Sequence, residues 1–130
     1  MTITKPTIGS EEWVSRWVDV INDDAQIARI GRFFEGRMCI QFDEKQYILH
    51  IVGGRVLDVL VDPIWDKPFD FKVKADVETW AESAKAVPKP FYQDIFGMMW
   101  NHGMTVEGNV VLAMQQIRTL KLMLAAMKRV

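Results

Sequence analysis

Met104–Val130 reads MTVEGNVVLAMQQIRTLKLMLAAMKRV, and this stretch decides the fold because a short strand, a turn and a long amphipathic helix follow one another. The pattern from Met104 to Glu107 predicts the strand, and Gly108-Asn109 supplies the turn and the helix N-cap. We expect one helix without a break to about Arg129, roughly 30 Å long at 1.5 Å per residue.

The apolar residues of this helix cover more than one face. One stripe recurs at helical spacing and comprises Val110, Ala113, Met114, Ile117, Leu120, Leu124 and Met127. A second apolar face near the end comprises Leu122, Met123 and Ala126. Because a helix that only caps a core needs one stripe, we expect the second face to meet a ligand, a partner or a membrane surface.

Composition indicates a single domain over residues 1–130 that needs no metal or disulfide, since a chain of this length buries about two thirds of its unfolded surface. Cys39 is the only cysteine, so no intrachain disulfide can form. A net charge of −1 gives no indication of a nucleic-acid partner. Met1 to Ser10 lacks an apolar leader core, and no apolar run reaches the roughly 18 residues of a membrane span, so we expect a cytoplasmic protein.

The rest of the chain alternates helix and strand patterns. We predict, in order, a helix capped by Ser10, a short helix capped by Asp23 or Asp24, strands at 36–42, 46–52, 55–61 and 69–75, a helix capped by Asp76, a helix starting at Pro90, and the final strand and helix. Gly53-Gly54 predicts a tight hairpin because both residues tolerate positive φ. An α+β fold, a single sheet with helices covering one face, is the economical arrangement.

Few residues suggest chemistry. His50 and His102 have no carboxylate or cysteine at a recognisable ligand spacing, and no phosphate-binding or hydrolase motif occurs. Cys39 has no basic motif nearby in the sequence that would favour a thiolate. Glu107 is an isolated carboxylate in an otherwise uncharged strand, which favours a solvent-facing residue. We therefore predict no catalytic residue, no metal and no cofactor.

The aromatic residues and methionines form the more informative set. Three helices supply Trp80, Phe91, Phe96, Met99, Trp100, Met114, Ile117 and Leu120. We expect all of them to face the side of the sheet that carries Phe69 and Phe71. Side chains of this size would overfill a sealed layer, whereas they could line an apolar cavity that accepts a lipid.

The sequence resembles the sterol carrier protein type-two family over about residues 11–127. The segments that carry the resemblance are EEWVSRWVDVIN, FFEGRMCIQFD, YILHIVGGRV, FDFKVKADVETWAESA and MTVEGNVVLAM. The resemblance implies a five-stranded, mostly antiparallel sheet, a crossover before the fourth strand, and helices over one face.

The resemblance also implies a function. It predicts non-catalytic binding or transfer of a fatty acid, acyl-CoA, phospholipid or sterol in a hydrophobic tunnel with the last helix as one wall. Carried over to this chain, the ligand-binding residues are Phe71, Val73, Trp80, Phe96, Met99, Trp100, Ala113, Met114, Ile117 and Leu120.

Two other classes stay open. The apolar last helix could instead form a homodimer, with Leu122 in the contact, or the chain could be a small steroid- or lipid-modifying enzyme. Against an enzyme, the sequence lacks an evident acid/base pair in an apolar setting. From Asn109 onward the chain has four basic residues and no acidic one, which favours a transient contact with an anionic membrane surface.

Overall fold

The computed structural model describes residues 6–63 and 67–130, which contain six α-helices and five strands. In chain order these are α1 (Glu11–Asp23), α2 (Ala25–Ile30), β1 (Glu35–Phe42), β2 (Lys45–Val52), β3 (Arg55–Val61), β4 (Phe71–Ala75), α3 (Val77–Ser83), α4 (Ile95–Asn101), β5 (Thr105–Gly108), α5 (Val110–Gln115) and α6 (Ile117–Ala125). A 3₁₀ turn, Ala126–Arg129, continues α6.

The five strands form one mixed sheet in the order β3-β2-β1-β4-β5. The β1–β4 pair is parallel, with Met38 opposite Phe71, and the other three pairs are antiparallel. A chain that leaves edge strand β3 must therefore cross β2 and β1 before it enters β4. The predicted α+β class, the mostly antiparallel sheet and the crossover before the fourth strand are confirmed.

The core lies between the helices and one face of the sheet. On β1, alternate residues Met38, Ile40 and Phe42 are buried against the helical layer, as the strand period requires. Large aromatic residues fill the layer, and their polar atoms are satisfied. The indole Nε1 of Trp17 donates to the carbonyl of Met123 at 2.8 Å, and that of Trp80 donates to the carbonyl of Gln41 at 2.8 Å.

The expectation of one unbroken terminal helix is wrong. Gln116, with φ −105° and ψ 22°, separates α5 from α6, and its amide donates to the carbonyls of Leu112 and Met114. This N–H keeps its i to i−4 bond to Leu112, so the break consists of a local change in φ and ψ and an added bond to Met114. α5 contacts β4 and β5, whereas α6 contacts α2 and the 3₁₀ turn, so the two helices cover different parts of the molecule.

The second apolar face of the last helix is also largely accounted for within the chain. Met123 and Ala126 are fully buried, and the 3₁₀ turn packs against α1. The carboxylate of Asp24 fixes this contact, because it accepts from Arg129 Nη2 at 2.7 Å. The inference that this face must meet a ligand, partner or membrane is therefore wrong for these two residues.

Two other local expectations are corrected. Pro90 does not start a helix; Phe91 adopts a left-handed φ of 68°, which interrupts the helical path, and α4 begins at Ile95. Phe69 lies before β4, which begins at Phe71, and it does not share a face with Phe71. The ring of Phe69 is partly exposed and lies 5.2 Å from Lys72 Nζ, on the outer side of the sheet.

Candidate functional site

An open cleft of about 290 Å³ lies between α4 and α6, on the side of α6 that faces away from α1. The side chains that line it are Ser83, Tyr92, Gln93, Asp94, Ile95, Met98, Lys121, Leu122, Leu124, Ala125 and Lys128. The α6 side of this set recurs at spacings of three, four and seven residues, so it forms one face of the helix.

The floor of the cleft is apolar. Ile95 and Met98 are three residues apart on α4 and both are buried, so they form a fixed wall. Leu122 and Leu124 are half-buried and Ala125 is exposed on the opposite wall. A thioether side chain beside branched leucines can adapt to ligands of different shape.

Charged and polar groups surround this floor. Lys121 Nζ lies 3.3 Å from Asp94 Oδ1 and 4.9 Å from the centre of the Phe96 ring, so one ammonium group contacts both a carboxylate and an aromatic face. Lys128, in the 3₁₀ turn that follows α6, lines the same cleft. The rim can therefore hold an anionic group next to an apolar chain.

The loop before α4 is tied down on both sides. Glu82 forms an ion pair of 2.6 Å with Lys85 and accepts from the amide of Lys89 at 3.0 Å. The hydrogen bond with Lys85 lowers the pKa of the Glu82 carboxyl. At the other end, the Tyr92 and His102 rings stack at 3.6 Å between centroids. These contacts hold Tyr92 at the cleft.

The ten residues predicted to bind ligand fall into three environments. Five lie fully buried in the core, namely Phe71, Val73, Trp80, Ala113 and Leu120. Four are half-buried, namely Phe96, Met99, Met114 and Ile117. Trp100 is 79% exposed and stacks on Phe96 at 6.0 Å, so the expectation that it faces the sheet is wrong. None of the ten lines the cleft between α4 and α6.

The cleft residues that sequence reasoning missed have one recognisable signal. Leu122 belongs to the second apolar face predicted for the last helix, and it is the member of that face that lines the cleft. Lys121, Ala125 and Lys128 complete the same helical face. Ile95 lies in a segment, residues 91–100, whose apolar residues would fall on nearly all sides of a helix, and such a pattern does not indicate which side stays open.

Residues with possible chemistry lie elsewhere. Cys39 is buried on the outer side of β1, and burial raises its thiol pKa to about 11. Glu107 is exposed and faces Lys72 across the β4–β5 pair. His50 is half-buried on β2. Within residues 6–63 and 67–130, no three His, Cys, Asp or Glu side chains group as metal ligands.

Comparison with solved structures identifies the fold that this arrangement of strands and helices forms. The fold superposes on the crystal structure of sterol carrier protein 2 with a TM-score of 0.76 and 13% sequence identity, over 95% of this chain and 98% of that one. This chain has a sterol carrier protein 2 fold. The match covers nearly the whole length of both chains.

Two further structures have the same fold. A ubiquinone synthesis protein, UbiJ-SCP2, matches all of this chain with a TM-score of 0.61 and 14% identity, and covers 98% of its own length. The ligand-free sterol carrier protein 2 of Yarrowia lipolytica matches over the full length of both chains with a TM-score of 0.57 and 12% identity. No protein-family model and no curated protein sequence matches the chain.

The fold also occurs inside a larger enzyme. A sec-alkylsulfatase from Pseudomonas matches 71% of this chain with a TM-score of 0.51, but the match covers only 14% of the enzyme. Among the helices of the described residues, none combines the length and the apolar character required to cross a bilayer.

Proposed function

We propose that this protein binds and transfers a lipid without catalysing a reaction, and that the cleft between α4 and α6 receives an acyl chain. The observation that carries the proposal is this cleft, with its apolar floor and cationic rim, on a sterol carrier protein 2 fold. Affinity would come from burial of the chain, at about 0.8 kcal/mol per CH₂ group.

The size of the cleft favours a single chain. Small-molecule pockets are typically about 300–1,000 Å³, and this cleft of about 290 Å³ lies at the lower end. One acyl chain of a fatty acid, an acyl-CoA or a phospholipid fits such a space better than a rigid ring system such as a sterol. Lys128 at the rim would contact the carboxylate or phosphate of the ligand.

A transient membrane contact is part of the same proposal. The exposed Trp100 ring of α4 stacks on Phe96, and Lys121 Nζ lies 4.9 Å from the centre of the Phe96 ring. Tryptophan beside a basic residue is a typical combination at the water–lipid boundary, where the ring enters the headgroup layer and the cation meets phosphate. A lipid could then pass between the membrane and the adjoining cleft. The cytoplasmic location stays a prediction.

The experiment that tests lipid binding uses cis-parinaric acid, a fluorescent fatty acid, with oleate as competitor. We expect saturable binding that oleate reverses. In Leu122→Lys, a charge in the apolar wall should weaken binding at least about tenfold, equivalent to about 1.4 kcal/mol. Val111→Lys is the control, because Val111 is exposed on α5 and lies outside the cleft.

Two outcomes contradict the proposal. Wild-type protein could fail to bind the probe and also carry no lipid in native mass spectrometry after purification. Alternatively, Leu122→Lys and Val111→Lys could bind as tightly as the wild type. If a variant in the closed core, such as Leu120→Ala, lost binding in place of Leu122→Lys, the ligand would occupy the tunnel predicted from the family resemblance.

A homodimer through the last helix is the second candidate, since Leu122 remains partly exposed. Sedimentation of the wild type separates the two candidates: we expect a monomer, and a dimer that Leu122→Lys dissociates would favour the interaction module. A small lipid-modifying enzyme is disfavoured, because the rim pairs its only carboxylate, Asp94, with Lys121 and offers no acid/base pair.

A further inference from the structure

Strand β3 forms one edge of the sheet, and no strand of the described chain pairs with its outer side. In an antiparallel pair, successive residues point their N–H and C=O groups in opposite directions. The amide of Asp62 donates inward to the carbonyl of Gln46 at 2.7 Å. The residues of opposite parity, Val59 and Val61, therefore direct their backbone groups away from the sheet.

The other end of the same edge is closed by a side chain. The amide of Val56 donates to Asn22 Oδ1 at 2.8 Å, and Asn22 Nδ2 donates to the carbonyl of Val56 at 3.0 Å. Asn22 thus occupies the place of an added strand at this position. The protection by Asn22 ends there. Leu57 then forms a bulge, where the register with β2 shifts between His50 and Ile51, so the regular edge available for pairing runs from Asp58 to Val61.

An apolar cleft of about 310 Å³ adjoins this available edge. It lies between α1 and β3, and its lining comprises Glu11, Val14, Ser15, Val18, Asp19, Tyr47, Val59 and Val61. Side chains of a strand that paired with Val59 and Val61 would alternate between the two faces of the sheet, and every second one would enter the cleft.

The edge is also unusually apolar. Leu57 is 64% exposed and Val61 is 42% exposed, while Leu60 is partly exposed on the outer face. Edge strands of soluble proteins usually carry lysine, proline or a bulge that prevents pairing with other chains. The bulge of β3 lies at Leu57, so the edge beyond it, beside the apolar cleft, is regular. This part suits an extended segment, because backbone hydrogen bonds and side-chain burial are then both supplied.

We propose that the outer edge of β3 binds an extended, basic segment of a partner protein by strand addition. The segment pairs with the backbone of Val59 and Val61 and inserts alternate apolar side chains into the cleft beside α1. Its lysine or arginine side chains contact Glu11 and Asp19 on the cleft rim.

Charge selects this occupant over a second copy of the chain. Helix α1 has four acidic residues and one basic residue, Arg16, which is already paired with Glu12 at 3.0 Å. The nearest lysine, Lys45, is paired with Asp62 at 2.7 Å and lies 3.7 Å from Glu11 Oε1. Glu11 is therefore partly neutralised, and Asp19 is the main acidic group on the rim. Edge-to-edge pairing of two copies would bring two acidic α1 helices toward each other, whereas a basic segment relieves this excess charge.

The proposal does not depend on lipid binding, because no residue lines both this cleft and the one between α4 and α6. The two experiments can therefore fail separately.

The experiment selects binders from a library of random peptides displayed on phage. We expect enriched sequences in which apolar residues alternate with lysine or arginine, and binding that weakens as salt rises. A synthetic peptide of the enriched sequence should protect the amides of Val59 and Val61 from hydrogen exchange. The amide of Leu60, which faces β2, should be protected with and without peptide.

Val59→Pro is the decisive variant, because it removes an outward N–H and leaves the β2–β3 ladder intact. Peptide affinity should fall at least tenfold. If Val59→Pro does not fold, the double variant Glu11→Lys, Asp19→Lys tests the proposal in its place. We expect this double variant to lose the preference for basic peptides.

Several results would overturn the proposal. They are enrichment of no peptide, binding that leaves the exchange of Val59 and Val61 unchanged, equal binding by the double variant, or a wild-type dimer that Val59→Pro dissociates. The last result would assign the edge to a second copy of the chain.

Discussion

Leu122 and Met123 are neighbours in the chain, yet they belong to different environments. Met123 lies on the inner side of α6, fully buried, with its carbonyl hydrogen-bonded to the indole of Trp17. Leu122 lies on the outer side, where α6 and α4 leave a cleft. A helix with apolar residues on two sides can therefore serve the core with one and a ligand with the other. The following predictions test whether the inner side is structural and the outer side functional.

The largest effect should come from removing a large side chain from the core between the helices and the sheet. In Trp80→Ala we expect a loss of about 3–5 kcal/mol in the free energy of unfolding, because a fully buried indole and its hydrogen bond to Gln41 are removed. Urea denaturation measures this loss. A loss below about 1 kcal/mol, combined with loss of lipid binding, would mean that Trp80 lines a ligand space and not a packed core.

Filling the outer side should change binding and leave stability nearly constant. Ala125 is exposed at the cleft, so the ring introduced by Ala125→Phe can occupy the space of a ligand chain. We expect at least tenfold weaker binding of cis-parinaric acid, with the free energy of unfolding within about 1 kcal/mol of the wild type. Unchanged binding would place the ligand elsewhere.

A smaller, pH-dependent effect should come from the contact that holds the end of the chain against the inner side. Asp24 accepts from the amide of Ile27 and pairs with Arg129, and both interactions lower its pKa from the ordinary 3.8. Its stabilisation is therefore complete above about pH 4 and disappears as pH falls through the lowered pKa. Asp24→Ala should cost about 1 kcal/mol at pH 7, the usual effect of losing an N-cap.

A pH series of urea denaturation tests this sign. The difference between wild type and Asp24→Ala should shrink below pH 4, since the carboxyl becomes protonated. Asp23→Ala is the matched control, because Asp23 is an exposed neighbour. A difference that grows on acidification would contradict the assignment.

The smallest stability effect should come from Trp100→Ala. The ring is mostly exposed, so we expect a change below about 0.5 kcal/mol in the free energy of unfolding. Flotation with vesicles should nevertheless reveal weaker membrane binding, most clearly with phosphatidylserine present. Wild-type binding that ignores phosphatidylserine would contradict a role for Lys121 at the lipid surface.

Much of the fold was predictable from local signals. The hairpin at Gly53-Gly54 and the Asp24 and Asp76 caps are where the sequence indicates them, since each depends on a few neighbouring residues. The break at Gln116 was not predictable, because no Gly or Pro marks it. It depends on how α5 and α6 each pack, which is a long-range property.

The candidate site was less predictable than the fold. Hydrophobic pattern indicates that a residue avoids water, but it does not say whether a protein core or a ligand provides the cover. Leu120 was predicted to line an apolar cavity from this pattern and Phe71 from the family resemblance. Both are buried in the core, and their role in ligand binding stays a prediction. Part of the apolar surplus packs against α1, where Trp13 and Trp17 belong to the same buried cluster as Met123, Ala126 and Met127.

The parallel pairing of β1 with β4 has a consequence for synthesis on the ribosome. Met38 pairs with Phe71, which is 71 − 38 = 33 residues later, so at roughly 5–20 residues per second the free side of β1 waits about 2–7 s for its neighbour. During this interval β2 and β3 have already been synthesised and can pair, but the second edge of β1 has no partner and is open to other chains. We expect the nascent chain to be most vulnerable to aggregation, and most in need of a chaperone, in that interval.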